Sequence, residues 1–386
     1  MINVKKLTLS VALILILLPS LQLLTALLPK TSIHGVAIPD KRPALSLKGL
    51  KTEKYQKKLT DYLMRGSSLW PWMVKMNNQL FYSFFNQISA HQNGSIICAN
   101  DGSFFQPMYL TSFNREKPYN EEKLGRIPAD VKTLQDILIK KAIPLVVLIS
   151  PNRIALEPSL VPESRIDPTR LTRLNSYDVL PERFKSLGVN FIDMYDYFLK
   201  QSMPVFLPTA SHWNEIGSCL AVNSVTAKIN SMKGNNIAQI NCEDYEMIFP
   251  PADADLDLLE IGNLLFPERT MVPGPRVKSL VVEESERVKR PRILLIGTSF
   301  LFAIQKHLEK SGLVSEAPLL FYYRQQRASS SKKFHNIRKN KKAFWDEFLM
   351  GFDAIVLETN QASVGKIGHG FVKEALNYYQ DNKLPK

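Results

Sequence analysis

The segment Pro291-Arg292-Ile293-Leu294-Leu295-Ile296-Gly297-Thr298-Ser299-Phe300-Leu301-Phe302 passes from a charged approach into four consecutive apolar residues and then into a small, polar turn. An apolar run of this length, closed by a glycine, is the pattern of a buried strand entering a sharp turn. Glycine lets the backbone turn tightly, and from Phe300 to Leu308 the apolar side chains recur at helical spacing. Ser299 is therefore expected at a strand-to-helix junction, beside the first unpaired N–H groups of a helix, which are arranged to stabilise an oxyanion. Serine is also a preferred N-cap, and capping is the alternative role for this residue. The nucleophilic reading requires a base from elsewhere in the chain.

Similar helix-then-strand units flank this segment. Val131, Leu134, Ile137 and Leu138 follow a helical period up to Lys141, and Pro144 then leads into Leu145-Val146-Val147-Leu148-Ile149. Val179 to Leu187 precedes Val189-Asn190-Phe191-Ile192-Asp193, and Ser218 to Ile229 precedes, more weakly, Ile237 to Ile240. A helix around Lys341 to Met350 is followed by a last strand, Asp353 to Leu357, with Glu358-Thr359-Asn360 at the end where open α/β sheets place ligands. These units predict an α/β fold with a mostly parallel sheet between helices. Upstream, Asn100-Asp101-Gly102 between Ser95–Cys98 and Phe104-Phe105 reads as a hairpin turn, and no internal repeat is visible.

With 386 residues, 45% of them hydrophobic, the chain buries one large core or two smaller ones, which excludes a disordered protein. Its formal charge of +13 suits an anionic neighbour such as a membrane surface or an acidic glycan. Lys5 and Lys6 precede an uncharged, mostly apolar run from Leu7 to Leu28, long enough to span a bilayer, and Leu24-Thr25-Ala26 is a poor cleavage site. The expectation is an uncleaved anchor with the lysines inside, placing everything after Lys30 outside the cytoplasmic membrane and arguing against nucleic acid as a partner. Residues 1–30 are thus read as signal anchor, 31–58 as a basic juxtamembrane tether, and 59–386 as the globular domain. Three cysteines leave at least one unpaired; a Cys219–Cys242 disulfide and buried free thiols both remain open, and no metal-ligand spacing is present. From Arg324 to Lys342 the chain carries eight arginines and lysines and no acid, which reads as a solvated loop or as a polyanion-binding one.

Of six histidines, His212 has the most informative surroundings, in the polar stretch Thr209-Ala210-Ser211-His212-Trp213-Asn214 just before a helix. An imidazole is the side chain best suited to take a proton from serine at neutral pH. Ser211-His212-Trp213-Asn214 followed later by Gly297-Thr298-Ser299-Phe300 resembles the periplasmic alginate O-acetyltransferase family, a branch of the SGNH hydrolase-like enzymes. Fold-level similarity extends to Asn100–Phe105, Pro144–Pro151 with Asn152-Arg153, and Val189–Asp193. As in that family, and unlike ordinary SGNH hydrolases, the histidine block comes first.

The resemblance implies an SGNH-like fold and transfer of an acetyl group through Ser299, with His212 as acid and base, onto hydroxyls of an extracytoplasmic polysaccharide. It implies no cofactor and no metal, and a donor delivered by a multi-spanning membrane acyltransferase. Tyr323 or Arg324 would assist the oxyanion. One departure stands out: where the family has Asp-x-His-Trp, this chain has Ala210. Losing such an aspartate costs roughly 10⁴-fold in a serine protease. A dyad alone, a substitute carboxylate from Asp193, Glu215 or Glu358, or an inactive protein would each account for Ala210. An acetylesterase and a non-catalytic glycan-binding scaffold are the alternative functions.

Overall fold

Three strands buried on both faces, Leu145–Ser150 (β1), Ile293–Gly297 (β3) and Ala354–Asn360 (β7), form the middle of a seven-stranded sheet. Phe191–Asp193 (β2), Leu319–Phe321 (β4), Gln325–Arg327 (β5) and His335–Asn336 (β6) complete it in the order β6-β5-β4-β3-β7-β1-β2. The five strands from β4 to β2 are parallel, whereas β5 and β6 are antiparallel additions, so the sheet is mixed.

These elements come from a computed structural model that describes residues 31–35, 41–66, 69–88, 96–233, 237–278, 290–329, 333–337 and 351–381, with isolated positions among the first thirty residues and at Ser331 and Trp345. The chain divides into two compact units, Met1–Cys98 with Asp257–Thr270, and Ala99–Leu256 with Met271–Lys386. In the first, helices Leu47–Lys51, Lys54–Gly66 and Leu69–Phe85 precede the short helix Asp257–Gly262. Asn78 is buried there and donates to the Gly262 carbonyl at 2.8 Å.

The sheet belongs to the second unit. Alternate side chains of each strand point to opposite faces, so Ile293 and Leu295 join one core while Leu294 and Ile296 join the other. The first core is closed by helices Glu215–Lys233 (α3) and Leu301–Lys310 (α4), the second by Ile127–Ile139 (α1), Ser176–Ser186 (α2) and Phe371–Asp381 (α5). Burial on both sides explains why the central strands read as unbroken apolar runs.

Two expectations are corrected. Ile237 to Ile240 is not a strand of the sheet. Its backbone is bonded by side-chain amides of α3: Asn230 pairs with Ile237 N–H (2.9 Å) and C=O (2.8 Å), and Asn223 with Ile240 N–H (2.9 Å) and C=O (2.8 Å). Cys242, just beyond, is joined to Cys219 of α3 by a disulfide. The basic segment after Arg324 is not simply a loop either, because Gln325–Arg327 and His335–Asn336 extend the sheet.

The helix expected over Lys341 to Met350 lies outside the described residues except for Trp345, which stacks on Tyr378. Most of the expected anchor, Leu7 to Leu28, also lies outside them, and no helix among the described residues is long and apolar enough to cross a membrane.

Asn223→Ala would strand the backbone N–H and C=O of buried Ile240 without partners. We expect a loss of about 2–3 kcal/mol, read from urea unfolding with the disulfide intact.

Candidate active site

At the end of β3 the glycine serves a purpose different from the turn. A Cβ on Gly297 would lie 2.6 Å from the Glu358 carbonyl oxygen and 2.6 Å from its Oε2 on neighbouring β7. Only a residue without a side chain lets the strands meet this closely. The next residue is fixed by the same carboxylate: Thr298 donates from its N–H (2.7 Å) and from Oγ1 (2.8 Å) to Glu358 Oε2. Phe300 N–H reaches Thr298 Oγ1 at 3.4 Å, and Phe300, which occupies the N-cap of α4, makes no side-chain capping bond. Ser299 is therefore not the cap. Its Oγ lies instead 2.6 Å from His212 Nε2.

The loop carrying His212 is built by its neighbours. Asn214 caps α3 by accepting from Gly217 N–H at 3.0 Å, and its own amide donates to the Pro204 carbonyl at 2.8 Å. Trp213 is buried edge-on against Phe300 at 5.0 Å and against Phe198 at 6.2 Å. With the two residues that follow it anchored, the half-buried imidazole is held over the start of α4, 4.8 Å from the Phe300 ring.

A second serine and histidine, Ser218 Oγ and His307 Nε2, are 2.8 Å apart, but both are wholly buried. That hydroxyl is shared with the carbonyls of Asn214 and Glu215, and burial pushes the His307 imidazole down to about 4. This pair is packing.

The three carboxylates differ in their engagements. Asp193 accepts from the Tyr177 hydroxyl at 2.7 Å and from Tyr195 N–H at 3.0 Å, and burial raises its carboxyl. Glu215 faces Lys306 Nζ at 2.7 Å and Val277 N–H at 3.0 Å; burial works upward on it, but the lysine holds the carboxyl below its ordinary value. Glu358 is completely buried, which pushes its carboxyl up, while Ser150 Oγ at 2.5 Å, the two Thr298 donors and the charge of His212 act in the other direction. Ala210 is buried and contributes no polar side chain.

The tyrosine that reaches Ser299 is Tyr322, a residue the sequence reading passes over. Tyr323 instead donates to Glu374 at 2.8 Å and packs on Phe371, away from the role expected of it. The Tyr322 N–H is tied to the Gly297 carbonyl at 2.8 Å, and its phenol is near enough to Ser299 for the serine to act downward on it. Burial and the Glu358 charge both raise that phenol, keeping it protonated. Tyr322 and Tyr323 both adopt left-handed backbone angles, φ 47° and 50°, a conformation that is strained for bulky residues. Arg324 lines, together with Tyr322, a cavity of about 670 Å³ whose wall also carries Lys366, His369 and Lys373. Burial, with Lys366 and Arg324 beside it, pushes the His369 imidazole down to about 4, so this histidine is neutral at pH 7. Among the described residues no cluster of side chains could hold a metal ion.

Because the Glu358 backbone cannot withdraw from a new methyl group, Gly297→Ala should cost about 1–3 kcal/mol and displace Ser299. A thermal melt and the rate of Ser299 labelling by a sulfonyl fluoride would register both effects.

None of the curated proteins matches the sequence. Among solved structures, the O-acetyltransferase domain of Pseudomonas putida AlgJ is 14% identical, covers 74% of this chain and 99% of its own, and superposes with a TM-score of 0.44. Pseudomonas aeruginosa AlgX is 15% identical, with 72% of this chain and 67% of that one covered at a TM-score of 0.42. Bacillus cereus PatB1 is 12% identical, with 69% and 96% covered at 0.41. The family described as SGNH hydrolase-like domain, acetyltransferase AlgX, matches residues 108–310. That span is more than half of the chain and includes both His212 and Ser299, and the chain belongs to this family.

Proposed function

We propose that this protein is a serine-dependent O-acetyltransferase acting on hydroxyls of an extracytoplasmic polysaccharide. The observation that carries the reading is the 2.6 Å contact between Ser299 Oγ and His212 Nε2, at a turn where Thr298, not Ser299, bonds a backbone N–H at the head of the helix. In the first half-reaction Ser299 gives its proton to His212 and attacks the acetyl carbonyl of the donor. The tetrahedral oxyanion collapses, His212 passes the proton to the leaving group, and an acetyl ester forms on Ser299. In the second half-reaction His212 takes the proton of a sugar hydroxyl, whose oxygen attacks the ester, and on collapse of the tetrahedral species His212 returns that proton to the departing Ser299 Oγ. The protonated Tyr322 hydroxyl is placed to donate to the oxyanion or to the sugar, and Arg324 lines the space beside it.

The acetyl donor comes from a multi-spanning membrane acyltransferase, and the acceptor is a polysaccharide outside the cytoplasm. Lys5, Lys6 and the uncharged Leu7–Leu28 support an uncleaved anchor, followed by the tether 31–58 and the domain 59–386. The Cys219–Cys242 disulfide supports an oxidising compartment such as the periplasm. Ala210 is the observation favouring a second reading, a glycan-binding scaffold that has lost catalysis.

The test is a mutant cycle, with 4-nitrophenyl acetate as donor and an oligosaccharide as acceptor. Ser299→Ala should lower transfer by ~10³-fold or more, His212→Ala by nearly as much, and the double variant should be scarcely worse than Ser299→Ala. Full activity in a folded Ser299→Ala protein would end the acyl-enzyme reading and leave the scaffold. For the anchor, the exported protein should sediment with membranes and keep its N-terminal residues. Edman sequencing that begins beyond Thr25 would show cleavage instead.

A further inference from the structure

The helix Leu69–Phe85, in the first compact unit, has two unlike sides. One is used within the unit: Pro71 and Asn78 are buried, Asn78 donates to the Gly262 carbonyl at 2.8 Å, and Gln79 accepts from Phe266 N–H at 3.0 Å. On the other, Met73, Met76, Leu80 and Phe84 recur at helical spacing, with Phe81 and Phe85 beside them, their rings 5.7 Å apart. These six side chains are between 40% and 75% exposed. A continuous row of large apolar groups facing water marks an interaction surface. The helix holds one charged residue, Lys75, which lies on the opposite side from Met73 and donates to Thr31 Oγ1 at 2.9 Å.

What covers the row follows from where the helix is fastened. Trp72 Nε1 donates to the Pro29 carbonyl at 2.8 Å, so together with Lys75 it binds the residues that directly follow the uncharged run Leu7–Leu28. That run, read above as a membrane anchor, delivers Pro29 and Thr31 to the outer lipid surface, and the helix bonded to them is held at the same level. The helices Leu47–Lys51 and Lys54–Gly66 add exposed Lys48, Lys51, Lys54, Lys57, Lys58 and Arg65 against Glu53 and Asp61, an excess of positive charge that suits anionic headgroups. At about 25 Å, Leu69–Phe85 is shorter than the ~30 Å hydrocarbon layer, so it would lie along the membrane and not across it.

We propose that Leu69–Phe85 is an interfacial helix, its Met73, Met76, Leu80 and Phe84 side sunk into the headgroup and upper acyl-chain region of the membrane that holds the anchor. The basic helices before it meet the anionic headgroups, and Trp72 and Lys75 join the helix to the point where the anchor leaves the lipid. The inference rests on the anchor reading given under the proposed function and is independent of the Ser299/His212 chemistry.

The test uses the full-length protein reconstituted into phosphatidylcholine and phosphatidylglycerol vesicles, with Phe84→Cys carrying an NBD fluorophore. Phe84 is 75% exposed, so the substitution removes nothing from a core. The native thiols do not compete: Cys219 and Cys242 form the disulfide, and Cys98 is buried with its thiol pushed up to about 12 by that burial. When the acyl chains are brominated near the headgroup, emission from residue 84 should fall by about half or more relative to unbrominated vesicles, and a label on Met76→Cys should behave alike. Adding Met76→Glu and Leu80→Glu to the labelled Phe84→Cys protein should abolish the quenching.

Unquenched emission at either position, in protein that floats with the vesicles, would overturn the proposal. Crosslinked dimers with unquenched labels would assign the row to a second copy and overturn it equally. If one labelled variant does not fold, the other decides. Protein that fails to float with the vesicles condemns the anchor, and the proposal with it, whereas floating protein with unquenched labels condemns only the interfacial helix.

Discussion

The lateral spacing of β3 and β7 at Gly297 governs the end of the sheet that carries Ser299. Because residue 297 has no side chain, the Glu358 carboxylate can reach across and take both donors of Thr298. Thr298 in turn bonds the first turn of α4, which releases Ser299 from the capping duty that a serine at a helix start would otherwise perform. Ser299 is left to face His212 because its neighbour is occupied. On the other side, Trp213 and Asn214 are used up by packing and capping, and this holds the residue before them, His212, in register with Ser299.

Much of this could be read from the sequence, for a definite reason. The central strands are buried on both faces, so their signal is an unbroken apolar run that needs no partner to be recognised. His212-Trp213-Asn214 and Gly297-Thr298-Ser299 are local motifs whose meaning lies within a few residues. The structure nevertheless changes the account of the glycine, which is needed for close approach to β7 as much as for the turn.

What was not legible depends on partners distant along the chain. Glu358 could be placed at the end of the last strand, but nothing local joined it to Thr298, sixty residues away. Nothing in the pair Tyr322-Tyr323 tells which ring turns towards Ser299, because the backbone angles decide it. Ile237 to Ile240 has the composition of a strand, yet its hydrogen bonds go to two asparagines of the preceding helix, whose side-chain amides offer a donor and an acceptor as a neighbouring strand's peptide groups would. The charges after Arg324 suggested a solvated or a polyanion-binding loop, because nothing in their run shows that the short segments Gln325–Arg327 and His335–Asn336 pair onto the sheet.

The two successive tyrosines with left-handed backbone angles carry a consequence for anyone adapting this fold. Each such residue costs on the order of 1–3 kcal/mol, and glycine would relieve most of it. A programme that selected for heat resistance alone would therefore be drawn to replace Tyr322, and would discard an aromatic hydroxyl whose ionisation responds to both Ser299 and Glu358. At this turn the sturdier molecule would be the poorer catalyst.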